Sequence, residues 1–124
     1  MTKRILVVED NDLNRKLFCD VLLAGGFAVE PVAEGHLVIE RARQFEPNLV
    51  VMDIQLQDIS GIDLISILKR DSELADVPVL AVTAYAGKGD EQRIRASGAE
   101  GYLSKPVSIG PFMAAVKDLV YRIQ

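Results

Sequence analysis

Three unbroken runs of apolar residues divide the chain: Ile5-Leu6-Val7-Val8, Leu49-Val50-Val51-Met52 and Val79-Leu80-Ala81-Val82. Each has strand length and β-branched character, and the lack of alternation predicts strands covered on both faces. Two weaker stretches complete the strand pattern. Phe27 and Val29 alternate with smaller or polar neighbours ahead of Pro31, which suits an edge strand because proline cannot donate to a ladder. Gly101-Tyr102-Leu103-Ser104 reads as a short fifth strand.

Between the strands, apolar residues recur at helical spacing. Leu13, Leu17, Val21 and Ala24 predict a first helix, with Asn11 or Asp12 as N-cap and Gly25-Gly26 as its stop. Val38, Ala42 and Phe45 share one face of a second helix that Pro47 ends. Gly61, Leu64, Ile65 and Leu68 mark a third, after a loop from Ile54 to Ser60 in which Asp58 or Ser60 can act as cap. Residues 87–97 are polar and weakly periodic; their early glycines predict a helix with a mobile start, closed by Gly98. Phe112, Val116, Leu119, Val120 and Ile123 define the last helix.

A β-α unit repeated five times predicts an α/β fold: a (βα)5 doubly wound, five-stranded parallel sheet with right-handed crossovers and helices on both faces. Ligands of such sheets bind beyond the carboxyl ends of the strands. Glu9, Asp10, Asp53, Thr83 and Lys105 all fall at that edge. Polar groups from four different strands therefore converge on one place.

Composition narrows the class. A length of 124 residues predicts a single domain, 1–124, and leaves no room for a second of ordinary size. Hydrophobic residues make up 49% and charged ones 26%, which excludes a disordered chain. The net charge is −4 and the basic residues are scattered, so nucleic acid is not the expected partner. Cys19 is the only cysteine, which rules out a disulfide framework and suits a reducing, cytoplasmic location. The amino terminus resembles neither a signal peptide nor a membrane span.

Three carboxylates brought within ~4 Å would repel by ~4 kcal/mol per pair at an effective dielectric of ~20. A hard divalent cation removes that difficulty, and Mg²⁺ is the one usually held by one or two carboxylates together with phosphate oxygens. Given a phosphate, Lys105 supplies a compact positive charge and Thr83 a hydroxyl. Asp53, on the central strand and not needed as a cap, is then placed as an in-line nucleophile that becomes an aspartyl phosphate. Blander readings compete. Strand-end acids often cap the next helix, Thr83 is a good strand former, Lys105 alone is an ordinary solvated lysine, and Tyr102 by spacing is an edge-strand aromatic. His36 has no metal-spaced partner and reads as surface or interhelical, and Cys19 as a small packing residue.

Other motifs fail on particular residues. Asp10, Asp12 and Asn14 have EF-hand spacing, yet Arg15 occupies the glycine position and Val21 that of the bidentate glutamate. Gly87-Lys88-Gly89 lacks the third glycine of a dinucleotide fingerprint and is outside the first β-α turn. Glu9-Asp10-Asn11-Asp12 is a poor cradle for an anionic flavin phosphate.

VVEDN at 7–11, VVMDIQL at 50–56 with Gly61 eight residues past Asp53, VTA at 82–84 and YLSKP at 102–106 each follow a predicted strand. In that order they resemble the response-regulator receiver domain family from end to end. AYAGKGDEQRI at 84–94 is most similar to single-domain regulators of the bacterial cell cycle. The resemblance implies a CheY-like, flavodoxin-like fold with strand order 2-1-3-4-5, and a single-domain response regulator of a two-component or phosphorelay system without an output domain. It implies Asp53 as phosphoacceptor from a histidine of a sensor kinase or phosphotransfer protein. Mg²⁺ would be held by Glu9, Asp10, Asp53 and the Gln55 backbone carbonyl. Lys105 would pair with the phosphoryl group, and Thr83 with Tyr102 would report it to the face of the fourth helix, fifth strand and fifth helix. Such a protein acts by protein contact and is no enzyme beyond its own phosphorylation and dephosphorylation. An aspartyl-phosphate hydrolase would carry an acid where this chain has Gln55. One departure is Gln57, where the family commonly has proline; it bears on loop rigidity alone.

Overall fold

The three apolar runs form the middle of a five-stranded parallel sheet in the computed structural model, which describes residues 2–84 and 87–122. The strands are β1 (Arg4–Val8), β2 (Ala28–Val32), β3 (Leu49–Asp53), β4 (Val79–Thr83) and β5 (Gly101–Ser104), in the order β2-β1-β3-β4-β5. Helices α1 (Asp12–Ala24), α2 (Val38–Phe45), α3 (Gly61–Arg70), α4 (Lys88–Ala96) and α5 (Ile109–Val120) alternate with them, and a single 3₁₀ turn, Gly35–Leu37, precedes α2. The predicted fold class and strand order are those observed. Of the residues assigned to the last helix, Ile123 lies outside the described residues, as do Tyr85 and Ala86 of the 84–94 stretch.

The unbroken apolar runs follow from two cores. Leu6, Val8, Val50, Met52, Val79 and Ala81 face one side of the sheet, where Val38 and Ala42 of α2, Leu64, Ile65 and Leu68 of α3 and Ile94 of α4 cover them. Ile5, Val7, Leu49, Val51, Leu80 and Val82 face the other, under Phe18 and Leu22 of α1 and Phe112, Val116 and Leu119 of α5. Phe18 and Phe112 stack across that layer with ring centroids 5.0 Å apart. Successive residues of each central strand thus enter opposite cores, so every position is apolar. Pro31 sits in β2 at the sheet edge, as its missing N–H requires.

Caps and turns settle the alternatives left by the sequence. Asn11 caps α1 by accepting the Asn14 N–H at 2.9 Å, and Ser60 caps α3 by accepting the Ile62 N–H at 3.2 Å. Asp58 is engaged elsewhere, by the N–H groups of Gly35 and His36. Gly26, at φ 91°, turns the chain out of α1 in the left-handed region that glycine enters without penalty. α2 is closed by its C-cap Glu46, at φ 53°, one residue before Pro47.

At the amino ends of the last two strands a half-buried clamp fastens α3 to the sheet. Lys69 Nζ donates to the Val77 carbonyl at 2.9 Å and pairs with Glu100 at 2.6 Å, while the other Glu100 oxygen accepts the Val79 N–H at 2.8 Å. At the carboxyl ends, Gly61 packs directly on the turn after β3. A Cβ there would come within 2.6 Å of the Asp53 carbonyl oxygen and of the Ile54 Cα. Both obstacles are backbone and cannot swing aside. Gly61→Ala is therefore expected to lower stability by about 1–3 kcal/mol, measured as a fall in the urea midpoint at unchanged slope.

Candidate acidic site at the carboxyl edge of the sheet

β1 and β3 are neighbours in register, Val8 opposite Met52, so the acids that follow their apolar runs meet. Asp53 is the last residue of β3 and is 3% exposed; Glu9 follows β1 and is 1% exposed; Asp10 is half-buried. One carboxylate oxygen from each lies within 4.8 Å of the other two. Because Asn11 and Ser60 supply the caps, none of the three acids serves that purpose.

Backbone amides orient the cluster. The Gln55 N–H donates to Asp53 Oδ1 at 3.0 Å, the Asn11 N–H to Glu9 Oε2 at 3.2 Å and the Gln57 N–H to Asp10 Oδ2 at 3.0 Å. The last of these is a bond that a proline at position 57 could not make. A residue that sequence reading connected only with loop rigidity thus touches an acid of the cluster. Lys105, just past β5, reaches back with Nζ 3.0 Å from Glu9 Oε1 and 3.4 Å from Asp53 Oδ2. Its backbone N–H donates to the Thr83 carbonyl at 2.8 Å, which ties the lysine to the end of β4.

This packing changes the acidity of Glu9. Burial, above all, and then its hydrogen bond with Asp53 push its carboxyl up to about 7, against the pull of Lys105 and the Asn11 amide. One lysine does not balance the site. Beside the cluster, Asp58 is held down at about 2 by the ring of His36, 3.0 Å away, and by the His36 and Gly35 amides. His36 is well exposed, as its lack of metal-spaced partners predicts.

Thr83 ends β4 and is fully buried, and Tyr102 on β5 is half-buried against the core of the α2–α3–α4 side. The residue that links Thr83 to the Asp53 loop is Gln55. Its side-chain amide donates to Thr83 Oγ1 at 2.5 Å and its amide oxygen accepts the Ala84 N–H at 2.9 Å. The family resemblance gives a role only to the backbone carbonyl of Gln55. The polarity of a side chain two residues past Asp53 was the available signal, but nothing in the sequence says where it points.

The donor set is all oxygen, negatively charged and more acidic in composition than its one lysine can neutralise, so the three carboxylates could bind a hard metal ion. A cleft of about 370 Å³ opens beside Lys105, lined by Asn14, Leu17, Phe18, Pro106 and Val107. Of its lining, Leu17 is exposed, and so is Leu13 on the same helix. Another cleft, of about 640 Å³, lies at the opposite edge around Arg4, Arg43 and Leu74 and contains none of these acids. No helix among the described residues is long and apolar enough to cross a membrane.

Residues 5–117 match the family model described as the response regulator receiver domain. The chain is 47% identical over 118 residues to the polar-differentiation response regulator DivK of Brucella ovis, covering 95% of this chain and 96% of DivK. Among solved structures, the chemotaxis protein CheY4 of Vibrio cholerae superposes with a TM-score of 0.91 at 21% identity, covering 96% of this chain and 99% of that one. The receiver domain of a sensor histidine kinase from Pseudomonas aeruginosa, which holds a magnesium ion in its active-site cleft, gives 0.88 at 26% identity, with 97% and 98% covered.

Proposed function

Because the chain belongs to the response regulator receiver domain family of two-component signalling, we propose that it takes a phosphoryl group from a phosphohistidine onto Asp53 and signals by protein contact as a single-domain regulator in the cytoplasm. The observation that carries this reading is the placement of Asp53. A buried carboxylate stands at the end of the central strand, beside two further acids, a lysine and a threonine. Glu9, Asp10, Asp53 and the Gln55 backbone carbonyl would hold Mg²⁺, which when bound offsets the negative charge of the cluster and of phosphoryl oxygens.

Asp53 contributes the attacking oxygen. As its bond to phosphorus forms, the phosphorus–nitrogen bond to the donor imidazole breaks and returns its electron pair to the ring. The Gln55 N–H keeps one Asp53 oxygen fixed and leaves the other for attack. Lys105 is already within 3.4 Å of that carboxylate, so its ammonium needs only a short shift to meet a phosphoryl oxygen. Thr83 turns to the new group, Tyr102 follows, and the change reaches a partner through α4, β5 and α5. The cleft beside Lys105, with the exposed Leu17 in its lining, is where a helical sensor kinase or phosphotransfer protein would bring its histidine. With Gln55 in place of a second acid, the protein turns over no outside substrate and catalyses only its own phosphorylation and dephosphorylation.

Incubation with a small phosphodonor and Mg²⁺, followed by intact mass, tests this. Wild type is expected to gain one phosphoryl group and Asp53→Asn none. Equal gain by both, or no gain by wild type, would sink the assignment.

A further inference from the structure

The side chain of Gln55 engages two groups at the end of β4, the Ala84 backbone N–H and the Thr83 side-chain hydroxyl. Its orientation is fixed by chemistry, since the Ala84 N–H can meet only the amide oxygen, which leaves the NH₂ for Thr83 Oγ1. An oxygen bonded to carbon thus sits where a phosphoryl oxygen would find its donor. The Gln55 backbone meanwhile donates to Asp53, so one residue is attached both to the carboxylate and to the end of β4.

We propose that the Gln55 side chain is a resting-state placeholder for a phosphoryl oxygen, holding the Ala84 N–H and the Thr83 hydroxyl until phosphorylation displaces it. The inference rests on Asp53 being the phosphoacceptor. Thr83 is fully buried, so its hydroxyl needs a partner in either state, and Gln55 supplies one in the resting state. Ala84 lies at the surface, so water can meet its N–H whenever the side chain lifts away before a phosphoryl oxygen arrives. The Ala84 N–H passes from a neutral amide oxygen to an anionic phosphoryl oxygen, and Thr83 Oγ1, which accepts from Gln55 at rest, turns its own O–H to the phosphoryl group, where the charge makes the stronger hydrogen bonds. Gln55 in this reading is a positioning residue that sets how readily the β4 end responds, and it takes no part in bond making.

Gln55→Met keeps the length of the side chain and its backbone carbonyl while deleting both bonds. The test follows phosphoryl uptake from phosphoramidate by intact mass, at saturating Mg²⁺, together with amide hydrogen exchange of the peptide containing Ala84 before and after uptake. Relief of two modest hydrogen bonds is expected to raise the uptake rate by about three- to tenfold. The unphosphorylated variant should also lose protection at Ala84 that unphosphorylated wild type shows, and both proteins should look alike there once phosphorylated. A structural side chain would change thermal stability without this state-dependent difference. Uptake equal to or slower than wild type, or unchanged protection at Ala84 in the resting variant, overturns the placeholder while leaving Asp53 as phosphoacceptor intact. If wild type takes no phosphoryl group at all, both readings fall together.

Discussion

The metal-free protein is expected to lose about 2–3 kcal/mol of stability as the pH rises from 4.5 to about 7, with Glu9 as the source. Glu9 is raised in the folded chain to about 7 from an ordinary value of 4.5. Between those two values the folded state keeps a proton that the unfolded state has released. The unfolded state then binds fewer protons, so stability falls with rising pH through that window and is flat above it. The same proton competes with a cation. Mg²⁺ affinity should climb by up to about tenfold per pH unit below 7 and level off above, because the carboxylate must be ionised to act as a ligand. Melting temperatures at several pH values, with and without millimolar-scale Mg²⁺, measure both effects. A Mg²⁺-dependent increase of the same size at pH 5 and pH 8 would show that Glu9 neither holds the proton nor meets the metal.

Lys105→Ala should be the most damaging single change at the site in the absence of metal, and the one that Mg²⁺ best repairs. Among the described ion pairs, Lys105 is the only cation that meets the carboxylates of Glu9 and Asp53; Arg15 reaches Glu9 only at its backbone carbonyl. Deleting it leaves two buried carboxylates facing each other. Breaking a fully buried pair costs about 3–5 kcal/mol. The ammonium is one-fifth exposed, so about 2–3 kcal/mol is expected here, or a fall of about 8–12 °C in Tm. A divalent cation among the same oxygens takes over the neutralisation, and the gap between variant and wild type should narrow at saturating Mg²⁺. Thermal melts at pH 8 decide it: a variant as stable as wild type without metal, or equally crippled with it, contradicts the electrostatic account.

What could be read from the sequence and what could not divide along a physical line. The runs at 5–8, 49–52 and 79–82 are apolar at every position because each successive residue enters one of two cores, and that pattern is visible without coordinates. The carboxyl-edge rule then gathers Glu9, Asp10, Asp53, Thr83 and Lys105, since strand ends are fixed by where the apolar runs stop. Side-chain direction in loops has no such periodicity. Gln55 reaching Thr83 and Ala84, Gln57 lending its N–H to Asp10, and Asp58 binding the turn before α2 all depend on loop geometry set by contacts between distant segments. The resting partner of Lys105 was hidden for another reason. A lysine suited to a phosphoryl group is equally suited to the carboxylates it meets before one arrives.

The clamp of Lys69 and Glu100 has a mechanical consequence for the other end of the sheet. Glu100 accepts the Val79 N–H through its side chain and donates its own N–H to the Val79 carbonyl, so β5 is pinned to β4 where both strands begin. Sliding of one strand along the other would break these bonds together with the Lys69 pair. With its origin fixed by Glu100, its far end joined to β4 through the Lys105–Thr83 backbone bond and residues 101–104 paired in between, β5 is held to β4 along its whole length, so the two strands carry any displacement of their carboxyl ends as one unit.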